Sequence, residues 1–232
     1  MSVGHSAVMS KPAAVAATVK YLSTTGAANS YANTPDTAGI SVTTDIEMVM
    51  RLGCTDWTPA ANKALMSKLN TANQGGYEFG ITTAGLLRII TDNGTAQTTT
   101  TASTATGFTD GTVHWIKVTL DLDDGAGNHV GTFYTAADSD TEPVSWTQLG
   151  TTQTVAGVLT IADGTRLLYI AARSDGSSAL SSQQCYQAIV RSGIGGTTVI
   201  SLDPSNWTTG TTWVAATGQT WTMAASASIV TV

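Results

Sequence analysis

The stretch TLDLDDGAGNHVGTFYT, residues 119–135, concentrates side chains that could do chemistry. Three carboxylates, Asp121, Asp123 and Asp124, stand among glycines and are followed by His129. Clustered carboxylate oxygens are typical calcium ligands, so a calcium site is one interpretation. The spacing lacks the fifth-position acid or amide and the terminal glutamate of an EF-hand loop. Asp-Gly and Gly-Asn pairs are typical of hairpin turns, and we predict a metal-free turn between two strands.

Catalytic chemistry finds little support in the sequence. Glycoside hydrolysis needs two carboxylates on one cleft, roughly 5–9.5 Å apart. The glutamates are Glu47, Glu78 and Glu142. The nearest approach to a pair is Asp45 with Glu47, which we interpret as a solvated strand face. There is no G-x-S-x-G motif, and His114 and His129 have no evident catalytic partner, so we expect surface histidines and no enzyme activity.

Aromatic residues are the remaining candidates for a ligand site. The tryptophans near predicted loops, and therefore the candidates for stacking on a sugar ring, are Trp57, Trp146, Trp207 and Trp213. Tryptophans of this kind more often anchor loops onto a β-sandwich than bind sugars. The glycan-binding residues therefore stay open.

Composition limits the class of protein. Of 232 residues, 42% are hydrophobic and 11% charged, and the net charge is −6. A phosphate-binding face needs clustered Lys and Arg, which are scattered here, so we expect no nucleic-acid partner. No apolar run approaches the ~18 residues of a membrane span, and no signal peptide is visible. Cys54 and Cys185 lack metal-ligand spacing; we expect free thiols, with a disulfide left open.

Strand-like alternation recurs from about residue 40 onward. In residues 45–52, Ile46, Met48 and Met50 share one face, and residues 77–82 and 114–122 alternate similarly. Glycine-rich turn signals separate these runs, which is typical of a sandwich or barrel. The threonine-rich residues 98–106 lie between two predicted strands, so we expect an exposed edge strand or a long loop there.

Longer motifs resemble a known family. Residues 30–69, SYANTPDTAGISVTTDIEMVMRLGCTDWTPAANKALMSKL, resemble the opening of laminin-G-like, concanavalin A-like jelly rolls. Residues 110–150 are similar to the family's W-x-x-x-V-x-L-D strand, glycine-rich turn and tFYt hairpin. Together with the motifs DWTP and GQTWTM, these stretches look most like the versions of this domain in minor tail and other virion-surface proteins of actinobacterial tailed phages. The resemblance implies an all-β jelly-roll sandwich of two antiparallel sheets, with the strand near Tyr21 beside the C-terminal SASIVTV.

The resemblance also implies a division of the chain. Residues 20–232 form the jelly-roll domain, and residues 1–19 form an N-terminal arm. Residues 7–19 could be helical, although Pro12 limits that. We expect the arm to dock on a virion partner, with a frayed terminus as the alternative. Its docking residues would be Val3, Val8, Met9, Val15 and Val19.

The expected function is a non-enzymatic virion structural protein, displayed on the capsid or tail surface and made in the host cytoplasm. Its partners would be other virion proteins and, as an added role, host-surface glycans; a homo-oligomer is left open. No cofactor is expected, with calcium as the one alternative. The alternative function is a carbohydrate-binding module of a bacterial protein, and a glycosidase is the least favoured hypothesis.

Overall fold

The computed structural model describes residues 18–69, 73–173 and 175–232. Short strands separated by turns fill these ranges. The strands are β1 (Lys20–Thr25), β2 (Ala32–Thr34), β3 (Ile46–Cys54), β4 (Lys63–Ser67), β5 (Gly76–Ile81), β6 (Leu87–Asp92), β7 (Gln97–Thr101), β8 (Val113–Asp121), β9 (Asn128–Ala137), β10 (Thr147–Gln148), β11 (Gln153–Ala156), β12 (Leu168–Ile170), β13 (Ser182–Ser192), β14 (Thr197–Leu202), β15 (Thr212–Val214), β16 (Thr220–Met223) and β17 (Ser228–Thr231). Two 3-10 turns, Ala38–Ile40 and Pro204–Asn206, are the helical elements of these ranges.

The strands form two antiparallel sheets that enclose one hydrophobic core. The nine-stranded sheet runs β10-β9-β8-β3-β13-β1-β17, with β11 also on β9 and β14 also on β13. The eight-stranded sheet runs β15-β16-β2-β12-β4-β5-β6-β7. This confirms the predicted all-β jelly-roll sandwich. Strand β1 pairs with β17, Tyr21 opposite Val230, which confirms the expected meeting of the two ends of the domain.

The core follows the alternation in the sequence. Every second residue of β3, from Ile46 to Cys54, points into the core and is essentially inaccessible to solvent. Strand β5 contributes Tyr77, Phe79 and Ile81 from the facing sheet. Because successive strand side chains point to opposite faces, the remaining residues of β3, β8 and β13 must lie on the outer face of the nine-stranded sheet.

Residues 98–101 of the threonine-rich stretch lie in β7, the last strand of the eight-stranded sheet, and residues 102–106 form a loop, so the stretch is part edge strand and part loop. The proposed helix at residues 7–19 lies, apart from its last two positions, outside the described residues. So do Val3, Val8, Met9 and Val15 of the predicted docking arm. Val19 is described: it is half-buried, and its carbonyl accepts a hydrogen bond from Val232 N at 2.9 Å.

Candidate functional site

The acidic hairpin is a turn between β8 and β9. Asp121, Asp123 and Asp124 each accept a hydrogen bond from the backbone N–H two residues further on, at 3.0, 3.0 and 2.8 Å. Hydrogen bonds from Asn128 to both oxygens of Asp124 lower the pKa of that carboxyl. Gly125 and Gly127 take the positive φ values, 75° and 85°, expected of the turn. Within the described residues no group of three His, Cys, Asp or Glu side chains has the arrangement of a metal site.

The prediction that the polar face of β3 is solvated is wrong. Glu47 is 5% exposed and pairs with Arg191 of β13, and Asp45 Oδ1 accepts from Leu122 N at 2.9 Å. The surface prediction for His129 is also wrong: it is 3% exposed, with Nδ1 2.7 Å from Gly157 O. Both errors have one cause, because residues far along the chain, Arg191 and Gly157, contact positions that the local pattern places outside.

Two of the four candidate tryptophans offer no ring face to a ligand. Trp57 is fully buried in the core, and its backbone N–H donates to Asp110 Oδ1 at 2.8 Å. Trp213 is 6% exposed and stacks on Trp221 at 6.4 Å between ring centroids. Sugar stacking requires an accessible ring, so Trp57 and Trp213 are structural residues and not glycan-binding residues.

Trp207 and Trp146 are half-buried; Trp207 packs against the hydrophobic core, whereas Trp146 lies over Lys117 on the outer face of the nine-stranded sheet. Lys20 Nζ donates to Trp207 O at 2.7 Å and lies 5.6 Å from the centre of its ring. Lys117 Nζ lies 4.5 Å from the Trp146 ring and 4.8 Å from the Tyr134 ring. Loss of hydration lowers the pKa of Lys117, partly offset by the nearby carboxylates. The outer face thus combines half-exposed rings with cations.

An acidic segment, residues 138–146, folds across this outer face and shapes it. Arg51 Nε lies 2.7 Å from Asp138 Oδ1, and Arg51 Nη2 lies 3.1 Å from Asp140 Oδ1. Burial alone would lower the pKa of Arg51, but these two carboxylates raise it above its ordinary value. Arg191 Nη2 lies 2.6 Å from Glu142 Oε2, and that bond raises the pKa of Arg191.

Beside the acidic segment lies a groove of about 200 Å³, which we call the outer groove. Its lining includes Arg51, Asp140, Tyr186, Gln187, Asp203 and Ser205. A second depression of about 190 Å³ shares Gln187 and Asp203 with it and extends over Ile189 and Ser201. The two depressions therefore adjoin each other at Gln187 and Asp203.

Tyr186 supplies the aromatic surface of the outer groove. Its ring lies 5.0 Å from that of Tyr21 and 4.7 Å from the guanidinium of Arg51. Burial, with the neighbouring Tyr21 second, raises the pKa of Tyr186. The register between β13 and β3 shifts between Cys185 and Gln187, and such a bulge breaks the alternation. Tyr186 and Gln187 therefore both reach the outer groove.

Sequence reasoning missed Tyr186, Arg51 and Tyr21. The sequence did indicate Arg51 as a possible site residue, since Arg51 lies on the polar face of a strand whose other face is apolar. Tyr186 carried none, because a bulge is a property of the paired strands and not of one strand alone.

A further cavity of about 340 Å³ opens at one end of the sandwich, between Thr25, Asp56, Lys63 and Ser182. Its hydroxyls are partly used by the fold: Ser182 Oγ donates to Thr24 O at 3.2 Å. No aromatic ring is among its described lining residues. It is therefore a poorer match to a sugar than the outer groove.

No protein-family model and no curated protein matches the chain. Among solved structures, the chain is similar to the native heptameric SAP-like pentraxin from Limulus polyphemus, with 12% identity over 77% of this chain and 78% of that chain and a TM-score of 0.46. It is similar to mouse laminin alpha1 chain domains LG4-5, with 17% identity over 79% of this chain and 44% of that chain and a TM-score of 0.48.

The Ruminococcus gnavus IT-sialidase CBM40 is similar with 12% identity over 72% of this chain and 82% of that chain, and a TM-score of 0.42. Similarity at this level carries no argument about ligand or activity. The jelly-roll architecture itself rests on the two facing antiparallel sheets. In the described residues, no helix is both long and apolar enough to cross a membrane.

Proposed function

We propose that this chain is a non-enzymatic, glycan-binding jelly roll that is displayed on the surface of a phage particle. The observation that carries the glycan-binding part is the outer groove, where the half-exposed ring of Tyr186 lies beside the amide of Gln187 and the carboxylates of Asp140 and Asp203. A sugar presents apolar C–H faces together with hydroxyls, which an aromatic face and paired acceptors and donors complement.

The non-enzymatic part rests on the positions of the carboxylates. Asp140 is paired with Arg51, and Asp203 Oδ1 accepts from Ser205 N at 2.9 Å. Glu78 is fully buried between two arginines and is inaccessible to substrate. The proposal includes no metal, since the carboxylates of the acidic hairpin already bond to their own turn.

A binding assay with insoluble polysaccharide tests the glycan part. We expect the purified chain to be retained by mycobacterial-type arabinogalactan or by β-glucan, without release of reducing ends. Tyr186→Ala should weaken retention about tenfold or more, because a central aromatic anchor contributes most of the affinity of such a site. The matched control is Tyr31→Ala, a half-buried tyrosine that packs on Tyr169 of the other sheet.

Retention of neither polysaccharide would contradict the glycan part of the proposal. Retention that Tyr186→Ala leaves unchanged and Trp146→Ala abolishes would move the site to the Trp146–Lys117 cluster.

The display part of the proposal is supported by the resemblance of residues 30–69 and 110–150 to phage virion-surface jelly rolls. Mass spectrometry of purified particles tests it, and absence of the chain from particles would contradict it. Residues 1–19 are the proposed docking arm. Deletion of residues 2–18 should abolish incorporation and leave the melting temperature nearly unchanged. Incorporation of the truncated chain at wild-type occupancy would assign attachment to the sandwich instead.

A further inference from the structure

One flank of the sandwich carries no charged residue. Residues 93–109 and 143–162 contain no Asp, Glu, Lys or Arg. The two segments lie side by side, since Thr151 N donates to Ser103 Oγ at 2.8 Å. They include β7, the last strand of the eight-stranded sheet, and β11, which pairs with β9 at the side of the nine-stranded sheet. Two strand edges thus share an uncharged flank.

The outward edge of β7 has unused backbone hydrogen-bonding groups. Ala102 N donates to Leu87 O at 2.8 Å, and Asn93 N donates to Ala96 O at 3.1 Å. Because hydrogen-bonded pairs alternate along an antiparallel ladder, Thr98 and Thr100 bond inward to β6. The N–H and C=O of Thr99 and Thr101 therefore point outward, and no hydrogen bond joins them to another described residue.

This edge lacks the features that normally prevent strand pairing. Natural edge strands are guarded by charged side chains, by proline, by bulges or by a covering loop. Strand β7 has the sequence QTTTT, and its pairing with β6 shows no register shift. Thr99 is exposed, as are Val155 and Val158 on the same flank, at 44% and 52%. An unguarded edge of this kind is a template for another strand.

The occupant that fits this edge is a second copy of the same chain. The protein has a net charge of −6, so two copies repel each other least where each surface has no charge. An antiparallel pair centred on Thr99 places threonine opposite threonine, and such cross-strand pairs are favourable. A two-fold interface requires a self-complementary surface, which a run of identical residues provides.

We propose that the chain forms a homodimer in which β7 pairs antiparallel with β7 of a second copy, about a two-fold axis at Thr99. The two Thr99 residues exchange N–H···O=C hydrogen bonds, and the two eight-stranded sheets become one continuous sheet. The interface is on the flank and leaves the outer groove of each copy open. It does not depend on the ligand of that groove.

Light scattering coupled to size-exclusion chromatography tests the dimer. We expect the intact chain to elute with twice the 23.8 kDa mass of one copy. Thr99→Lys places two like charges on the axis and should raise the dimer dissociation constant at least tenfold. Thr99→Pro removes the outward N–H and should also raise the dimer dissociation constant. The variant should still fold, since an edge strand tolerates proline at such a position.

The matched control is Thr154→Lys, which puts the same charge on β11, the other edge of the uncharged flank. It should remain a dimer. The melting temperature of each variant, at a concentration where the intact chain is monomeric, should stay within about 2 °C of the intact chain's value. A monomeric intact chain at about 100 µM would overturn the proposal, as would a dimer that resists both Thr99 variants or one that Thr154→Lys dissociates.

Discussion

The outer faces of the two sheets both carry arginine–carboxylate clusters, but one face is sealed and the other is open. On the eight-stranded sheet, Glu78 is fully buried and lies 2.8 Å from both Arg88 Nη2 and Arg173 Nε. On the nine-stranded sheet, Arg51 pairs with Asp138 and Asp140, whose side chains are 44% and 75% exposed.

The difference comes from what covers each face. Ala64 N of β4 donates to Ala179 O at 2.9 Å, so the chain before β13 is joined to the eight-stranded sheet by backbone bonds. The acidic segment is joined to the nine-stranded sheet mainly through side chains, such as Trp115 Nε1 to Ser139 O at 2.9 Å. The acidic segment leaves the outer groove beside it, whereas Arg88 and Arg173 enclose Glu78 on the eight-stranded sheet. The sealed face therefore serves stability, and the open face is available for binding.

The largest expected effect is at the sealed face. Glu78→Gln removes the charge that compensates Arg88 and Arg173, and burial already lowers the pKa of Arg88. Breaking a buried ion pair from one side costs about 3–5 kcal/mol, so we expect a loss of stability of that size. Chemical denaturation monitored by tryptophan fluorescence measures it. A loss below about 1 kcal/mol would mean that the sealed network is solvated and that the two faces do not differ.

Arg191→Met should have an intermediate effect. Arg191 joins Glu47, which is 5% exposed, to the half-buried Glu142. Its removal leaves Glu47 with the hydrogen bond from Gly195 N at 3.2 Å. A hydrogen bond to a charged group contributes about 1.5–3 kcal/mol, and we expect a loss within that range by the same denaturation assay. A loss equal to that of Glu78→Gln would show that the open face is as tightly sealed as the other.

Mild acid should act on the nine-stranded sheet through His114. Its ring stacks on Phe108 at 3.6 Å, and loss of hydration lowers its pKa, partly offset by the charge of Asp138. The unfolded chain, with an ordinary histidine pKa of about 6.5, then binds protons more readily than the folded chain. The contribution of His114 is therefore complete above about pH 6.5 and declines as the pH falls through the lower folded pKa.

Melting temperatures between pH 7.5 and pH 5 measure this decline. His114→Gln should reduce the slope of melting temperature against pH. An unchanged slope in that variant would assign the acid response to another group.

The smallest effect is expected for Asp140→Asn, at the exposed end of the open cluster. Ion pairs with an exposed partner contribute about 0–1 kcal/mol, and Arg51 keeps its second partner, Asp138. Stability should change by less than about 1 kcal/mol. A larger loss would show that the acidic segment is held as firmly as the cover of the eight-stranded sheet.

Much of the fold could be predicted from the sequence. The alternation of Ile46, Met48 and Met50 predicted a strand with one core face, and the structure has it. The glycine and aspartate pairs of residues 121–128 predicted a hairpin, and β8 pairs with β9 across it. Both features depend on residues close in sequence, and so local chemistry was sufficient.

The candidate site could be predicted only in part. Trp146 was identified as a candidate and is half-buried at the outer face, whereas Trp57 and Trp213 had the same local appearance and are buried in the core. Tyr186 and Arg51 were not identified. An aromatic residue near a loop is accessible or buried according to what packs on it, and that partner is usually remote in sequence.

The sequence by itself determined the apolar face of β3 and the turn between β8 and β9, because each depends on residue type and near-neighbour spacing. Only the tertiary structure decided which outer face is sealed. The alternation of β3 predicts a solvated Glu47, yet Glu47 is buried because Arg191, 144 positions later, pairs with it. Burial depends on contacts between distant segments, and local sequence does not determine those contacts.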